Sequence, residues 1–199
     1  MKFYLLMSAV LLSTFSWGQE WTKQYDNYDD FNSGLALVSK GSKKGFVNQQ
    51  GKLVVPLAYD DAMQFSDGMA AVKKSGKWGF LDSTGKEIVP CDYEDANSFA
   101  NGLGLVAKNN RFGFVDRTGK VAIPLVYDNA SCFSEGFAAV NKKGLWGFIN
   151  TSGDEIVPFK YSYAVSFYQG SAKVLKTNGK WYYIDKTGKE TLVTTSSIG

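Results

Sequence analysis

Short apolar runs alternate with glycine-marked polar turns along most of the chain, and the same order of runs keeps returning. The stretch YDDAMQFSDGMAAVKKSGKWGFLDSTGKEIVP shows the unit. MAAVKK, KWGFLD and KEIVP have strand length and strand composition, and YDDAMQF is the candidate for a fourth strand. Residues two apart on a strand share a face. Met69 and Ala71 therefore lie on one face of the first run, with Ala70 and Val72 on the other. A strand apolar on both faces is covered on both faces, which predicts units stacked against one another. In the next run Trp78 and Phe80 share a face, with Gly79 and Leu81 opposite. The third run ends in a proline, which an edge position tolerates despite its missing N–H.

The unit recurs every 34 residues. Tyr25, Tyr59, Tyr93, Tyr127 and Tyr161 mark the step, and Phe31, Phe65, Phe99, Phe133 and Phe167 keep it. Gly45, Gly79, Gly113 and Gly147 keep it too, as do Pro56, Pro90, Pro124 and Pro158. Gly51, Gly85, Gly119 and Gly153 continue the series, and Gly188 arrives one residue late after an insertion in the fifth copy. The copies are 25–58, 59–92, 93–126, 127–160 and 161–195. Helical repeats can share this period, but the recurring glycines and the proline leave no room for two helices per unit.

Two motifs have local physical reasons. The link between the second and third runs reads NQQG, DSTG, DRTG, NTSG and DKTG. Asp or Asn opens such a turn by accepting a backbone N–H, and glycine takes the left-handed place that closes it. In the pairs Trp78-Gly79, Phe112-Gly113 and Trp146-Gly147 the glycine lets a neighbouring ring or backbone come close. The end copies depart from the pattern, with Lys44 at the aromatic place of the first and Ser171, Lys173 and Tyr182 in the fifth. Polar substitutions at terminal units are what an open array needs to cap its ends. The expected fold is all-β, with five 34-residue β-hairpin or meander repeats in an open, elongated array. A closed five-bladed, propeller-like ring is the alternative.

GKWGFLDSTGKEIVP followed by YEDANSFANG closely resembles the WG-repeat (KWG) family of bacterial proteins. The resemblance covers residues 25–195, with the Trp missing from the first copy and replaced by Phe112 in the third. It implies a β-rich repeat module on exported or multidomain bacterial proteins, serving binding or interaction. It implies no catalytic residues.

Composition narrows the chemistry. The chain has 199 residues, no histidine and two cysteines. That removes Ser-His-Asp and Cys-His nucleophile pairs, a histidine base and any histidine-held metal. No catalytic residue, metal ligand or cofactor is expected. The net charge is +3, with basic and acidic residues interspersed and only Arg111 and Arg117 as arginines. This excludes the concentrated basic face of a nucleic-acid binder. Residues 1–18 read as a secretory signal peptide: Lys2, the apolar run FYLLMSAVLL, and a small-x-small ending at Ser16-Trp17-Gly18. The mature chain is then expected to be exported, periplasmic or secreted, with no stable membrane span. Residues 19–24 form a lead-in and 196–199 a flexible C-terminal tail.

Candidate sites are few. NGKWYYIDKTGK in the fifth copy resembles the hairpin repeats of choline- and glucan-binding surface proteins. That resemblance, over one hairpin, offers Trp181, Tyr182 and Tyr183 as contacts for sugars or quaternary amines. The competing reading makes Trp181 and Tyr183 core residues, with Tyr182 covering the exposed end. Cys91 and Cys132 are candidates for a disulfide in an oxidising compartment, with two buried thiols as the alternative. The expected function is a non-catalytic exported scaffold that binds another protein, or else a module for envelope glycan.

Overall fold

The computed structural model describes residues 20–194, so the expected signal peptide lies outside the described residues. The protein is all-β, with a single short 3-10 turn at Glu20–Gln24 among the described residues. The first copy forms β1 (Asn27–Tyr28), β2 (Leu35–Lys40), β3 (Lys43–Asn48) and β4 (Leu53–Tyr59). The second forms β5 (Asp61–Ala62), β6 (Met69–Lys74), β7 (Lys77–Asp82) and β8 (Glu87–Tyr93). The third forms β9 (Asp95–Ala100), β10 (Leu103–Lys108), β11 (Arg111–Asp116) and β12 (Val121–Tyr127). Then come β13 (Asn129–Ala130), β14 (Phe137–Lys142), β15 (Leu145–Asn150) and the long β16 (Glu155–Ala164). The chain ends on β17 (Ser171–Lys176), β18 (Trp181–Asp185) and β19 (Glu190–Leu192).

Each copy is an antiparallel meander in sequence order. The fourth and fifth copies share one seven-stranded sheet because β16 closes one and opens the other. No strand pairing and no core cluster joins the first copy to the fifth among the described residues, so the array is open. The tyrosine that heads each of the second to fifth sequence copies pairs with the third strand of the unit before it, as Tyr93 does with Trp78. Pro90 sits inside β8 rather than at its end. It is tolerated there because β8 is an edge strand and carries the bulge between the Trp78 and Phe80 pairings.

That bulge explains the paired glycine. A Cβ on Gly79 would stand 2.3 Å from the Val89 carbonyl oxygen, and one on Gly147 would stand 2.6 Å from that of Val157. The turn glycine answers to a different contact. Gly85 has φ of 85°, and a Cβ there would meet the Val54 carbonyl oxygen of the preceding copy at 3.0 Å. The opening Asp82 behaves as the sequence implies, its carboxylate accepting from the Thr84 amide at 2.9 Å and the Lys86 amide at 3.1 Å. The Thr84 hydroxyl, bonded to the same oxygen, is the main reason its carboxyl sits below the usual range.

The core lies between copies. Met69, Ala71, Trp78 and Phe80 of the second copy face Ala96, Phe99, Val106 and Val115 of the third. Ala70, Val72 and Leu81 of the same second copy face the first. The sheet of the second copy is thus covered on both sides. A ring of one copy meets a ring of the next at every junction. The centroids lie 4.9 Å apart for Phe46–Phe65, 4.8 Å for Phe80–Phe99, 4.8 Å for Phe114–Phe133 and 5.0 Å for Phe148–Phe167.

The first copy has no described unit before it, and Trp21 takes that role. It packs on Ala36, Val38 and Val47. It stands 34 residues before Val55 and covers Gly51 as Val55 covers Gly85.

Candidate interaction surface

The five copies expose two rims of turns and two terminal faces. On one rim, the first three junctions carry ion pairs between neighbouring copies: Lys43 with Asp60 at 2.6 Å, Lys77 with Glu94 at 4.0 Å, and Arg111 with Asp128. Lys44, expected to cap the chain's leading end, instead bridges Asp61 of the second copy at 2.5 Å. It therefore serves an internal junction. The last junction drops these charges. Tyr163 stands there against Trp146 at 5.8 Å and against Trp181 at 6.2 Å.

The opposite rim is tied by turn side chains that reach the next copy's backbone. Asp67 accepts from the Gly102 amide at 2.6 Å, Asn101 from Gly136 at 3.1 Å and Glu135 from Gly170 at 3.0 Å. Asp67 also pairs with Arg117, and Glu135 with Lys186 at 3.1 Å.

The trailing face of the fifth copy occupies the places that elsewhere meet a following unit. Tyr163, Leu175 and Trp181 form one cross-strand row, and Lys173 beside Tyr183 forms the next. Tyr163 is 49 % exposed and Tyr183 is 46 % exposed. Lys173 Nζ lies 4.8 Å over the Trp181 ring, which is half-buried. Ser171 and Lys173 do lie on this open face, as the capping argument requires.

The three fifth-copy aromatics therefore divide. Trp181 and Tyr183 share the open face, while Tyr182 turns back to pack on the core between copies four and five. The competing core assignment thus has the alternation reversed. Tyr182 replaces the usual glycine because β18 pairs with β19 in unbroken register, with no bulged carbonyl to clear.

A carboxylate pins the last strand. Glu190 pairs with Lys176 at 2.5 Å and Lys160 at 3.1 Å, and accepts from the Tyr161 hydroxyl at 2.8 Å. Chiefly through Lys176, its carboxyl is pulled down to about 2. Burial, and secondarily Glu190 itself, pushes the Tyr161 phenol well above its ordinary range.

The cysteines are free thiols packed at different junctions. Cys91 lies against the core of copies one and two, and Cys132 against that of copies three and four. With copies two and three between those junctions, they do not form the candidate disulfide. Burial pushes the Cys132 thiol up to about 11.

Two shallow depressions occur at equivalent places of the unit. Asn27, Leu37, Ser39 and Lys44 line one, and Asp95, Leu105, Ala107 and Phe112 line the other. A hollow that recurs with the repeat is a property of the unit. Among the described residues no group of three or more Cys, Asp or Glu side chains gathers as a metal site, and no helix is long and apolar enough to cross a membrane.

Stacked four-stranded meanders with inter-sheet cores define a β-repeat protein with the unit of a β-propeller, here without closure. The chain belongs to the family of WG-containing repeat proteins, whose repeat matches residues 18–43, 45–78, 78–112, 112–146 and 146–181. A comparison with curated proteins finds no match. Among solved structures, a eukaryotic initiation factor is similar at 12% identity and a TM-score of 0.59, over 87% of this chain and 55% of that one. Hsv2 of Kluyveromyces lactis is similar at 12% identity and 0.51, over 84% of this chain and 61% of that one. BamB of Moraxella catarrhalis is similar at 16% identity and 0.48, over 79% of this chain and 56% of that one. At such identities the likeness to the initiation factor and to Hsv2 is one of fold, and this chain spans a little over half the length of the structures it matches.

Proposed function

We propose that this chain is an exported, non-catalytic repeat scaffold that binds another protein at or outside the cell envelope. The observation that carries the reading is where the repeated rings go. Trp78 is 7% exposed, and Phe46, Phe80, Phe99, Phe114, Phe148 and Phe167 are all at 1% or below. The aromatics supplied by the repeat are consumed by the inter-copy cores. What recurs at the surface is a rim of turns and paired charges, suited to a broad protein contact. β-Repeat and propeller-like scaffolds generally mediate protein interactions. Export rests on the pattern of residues 1–18.

Glycan binding is favoured by one feature, the exposed Tyr163 and Tyr183 beside Trp181. A pull-down from envelope extract with the full chain, set beside a glycan array, separates the two readings. A saturable protein partner and a blank array are expected. Glycan hits that vanish in Trp181→Ala would overturn the scaffold reading. For export, N-terminal sequencing of the chain from fractionated cells should begin at Gln19. An unprocessed cytoplasmic chain would refute it.

A further inference from the structure

We infer that the trailing face of the fifth copy docks the leading face of a second copy of this chain, head to tail. The internal junctions supply the template. At each of them a ring on one copy receives a phenylalanine from the next, as Phe148 receives Phe167. Tyr183 stands at the receiving place of the fifth copy, and Phe31 at the donating place of the first. Both are exposed, Tyr183 at 46 % and Phe31 at 42 %, whereas their equivalents inside the array are buried. Tyr28, in the place of buried Ala62, is 50 % exposed and packs on the same Trp21 ring as Phe31.

Charge follows the same register. Lys43, Lys77 and Arg111 pair with Asp60, Glu94 and Asp128 across internal junctions. The corresponding residues at the two ends are Lys180 on the trailing face and Asp26 on the leading face. Leu105 and Cys132 share a core cluster between the third and fourth copies. Their counterparts at the ends are Lys173 and Asp30. The places that hold Leu105 and Cys132 at that one junction thus carry opposite charges at the two ends. Two like faces would instead set Lys173 and Lys180 against themselves. The place of Val157 is filled on the leading face by Trp21, and opposite Tyr183 the trailing edge offers the small Thr191.

Such a contact is heterologous, so it closes into a ring or grows as a filament. It goes beyond the scaffold reading, which stands if the chain is monomeric and holds a different protein.

Sedimentation velocity of the full mature chain, from about 1 µM to about 1 mM, reads the association directly. Discrete oligomers or a growing series is expected, and a monomer throughout overturns the proposal. Tyr183→Glu blocks the trailing face and Phe31→Glu the leading face, each at an exposed side chain. Either variant alone should be monomeric, and an equimolar mixture should give dimers and nothing larger. If Phe31→Glu alone still dimerises, two trailing faces are meeting and the proposal fails. Lys173→Glu should weaken association roughly tenfold or more, and adding Asp30→Lys in the same chain should restore it. No restoration would remove the charge register from the argument and overturn the assigned pairing. Near-ultraviolet circular dichroism confirms that each variant is folded.

Discussion

At the junction of the second and third copies, Phe80 and Phe99 meet edge to face at 4.8 Å and neither exposes surface. In the fifth copy the place of Phe80 is taken by Tyr183, which is 46 % exposed. The same strand position is core in one unit and surface in another. What decides between them is whether a following unit arrives. Stability in such an array is close to a sum of unit and nearest-neighbour terms. The neighbour term here is apolar burial, aliphatic and aromatic together, because the hydrophobic clusters lie between sheets.

The comparison breaks most visibly under truncation. Phe80→Ala should cost about 3–5 kcal/mol, since a fully buried ring leaves both its transfer energy and a cavity behind. Tyr183→Ala should stay within about 0.5 kcal/mol, as expected of an exposed side chain. Urea unfolding monitored by tryptophan fluorescence checks both, at low protein concentration so that association does not contribute. Equal costs would mean that the fifth-copy face is packed after all.

Backbone geometry sharpens the same contrast. Gly79→Ala drives a Cβ into the Val89 carbonyl and should cost about 2–3 kcal/mol as overpacking. At the equivalent place of the fifth copy a full tyrosine is accommodated, because the β18–β19 register is continuous. Tyr182→Ala should therefore lose only the partial burial of the ring, about 1 kcal/mol. Hydrogen exchange on β8 should report the first substitution and not the second.

Much of this was legible from residue types alone. The turn residues and the two-sided apolar strand depend on local geometry that a single copy displays. So does the need for glycine beside Trp78. The role of Trp21 is not legible in the sequence despite its spacing of 34 from Val55, because one residue standing in for a whole unit shows no periodicity of its own. Lys44, a polar residue in a terminal copy, faces an internal junction for a related reason. Spacing gives the unit in which a residue sits, and register gives the neighbour it faces. Trp181 and Tyr183 fall on the face that Trp78 and Phe80 use, because the Leu175–Trp181 pairing repeats Lys73–Trp78, and the pairing of neighbouring strands is not a property of one strand's residue types.

A smaller difference separates the last strand from the other fourth strands. β19 is three residues long, where β8 has seven, and Glu190 compensates through Lys176, Lys160 and Tyr161. Its carboxyl pKa is lowered in the folded chain, from 4.5 to about 2. The stabilisation is therefore complete above about pH 5 and is lost as pH falls through 4.5 toward 2. Glu190→Gln should cost about 1–2 kcal/mol near neutrality, with the cost shrinking as pH falls toward 2 and gone only below it. The quantity to plot is the difference in unfolding free energy between wild type and variant. Other carboxylates, such as Asp185, titrate in both proteins and largely cancel. A difference that stays flat with pH would show that Glu190 holds β19 by shape alone.

The finest distinction lies between the first junction and the three that follow. Asp67, Asn101 and Glu135 each accept from the next copy's turn amide, whereas Ser33 bonds its own neighbour Asn32 at 3.2 Å. Ser33 also holds φ of 53°, a left-handed conformation that Asp and Asn tolerate better than most residues. Ser33→Asp should bring a carboxylate to the Gly68 amide and relax the turn at once, so both contributions favour the folded state. The expected gain is about 0.5–1 kcal/mol, in the range of one added hydrogen bond. Asp67→Ser is the reverse experiment, and it should cost more because Arg117 is released as well. A thermal melt of the two variants gives the signs directly. If Ser33→Asp is neutral while Asp67→Ser is destabilising, the ion pair with Arg117, rather than the amide bond, is what secures this rim.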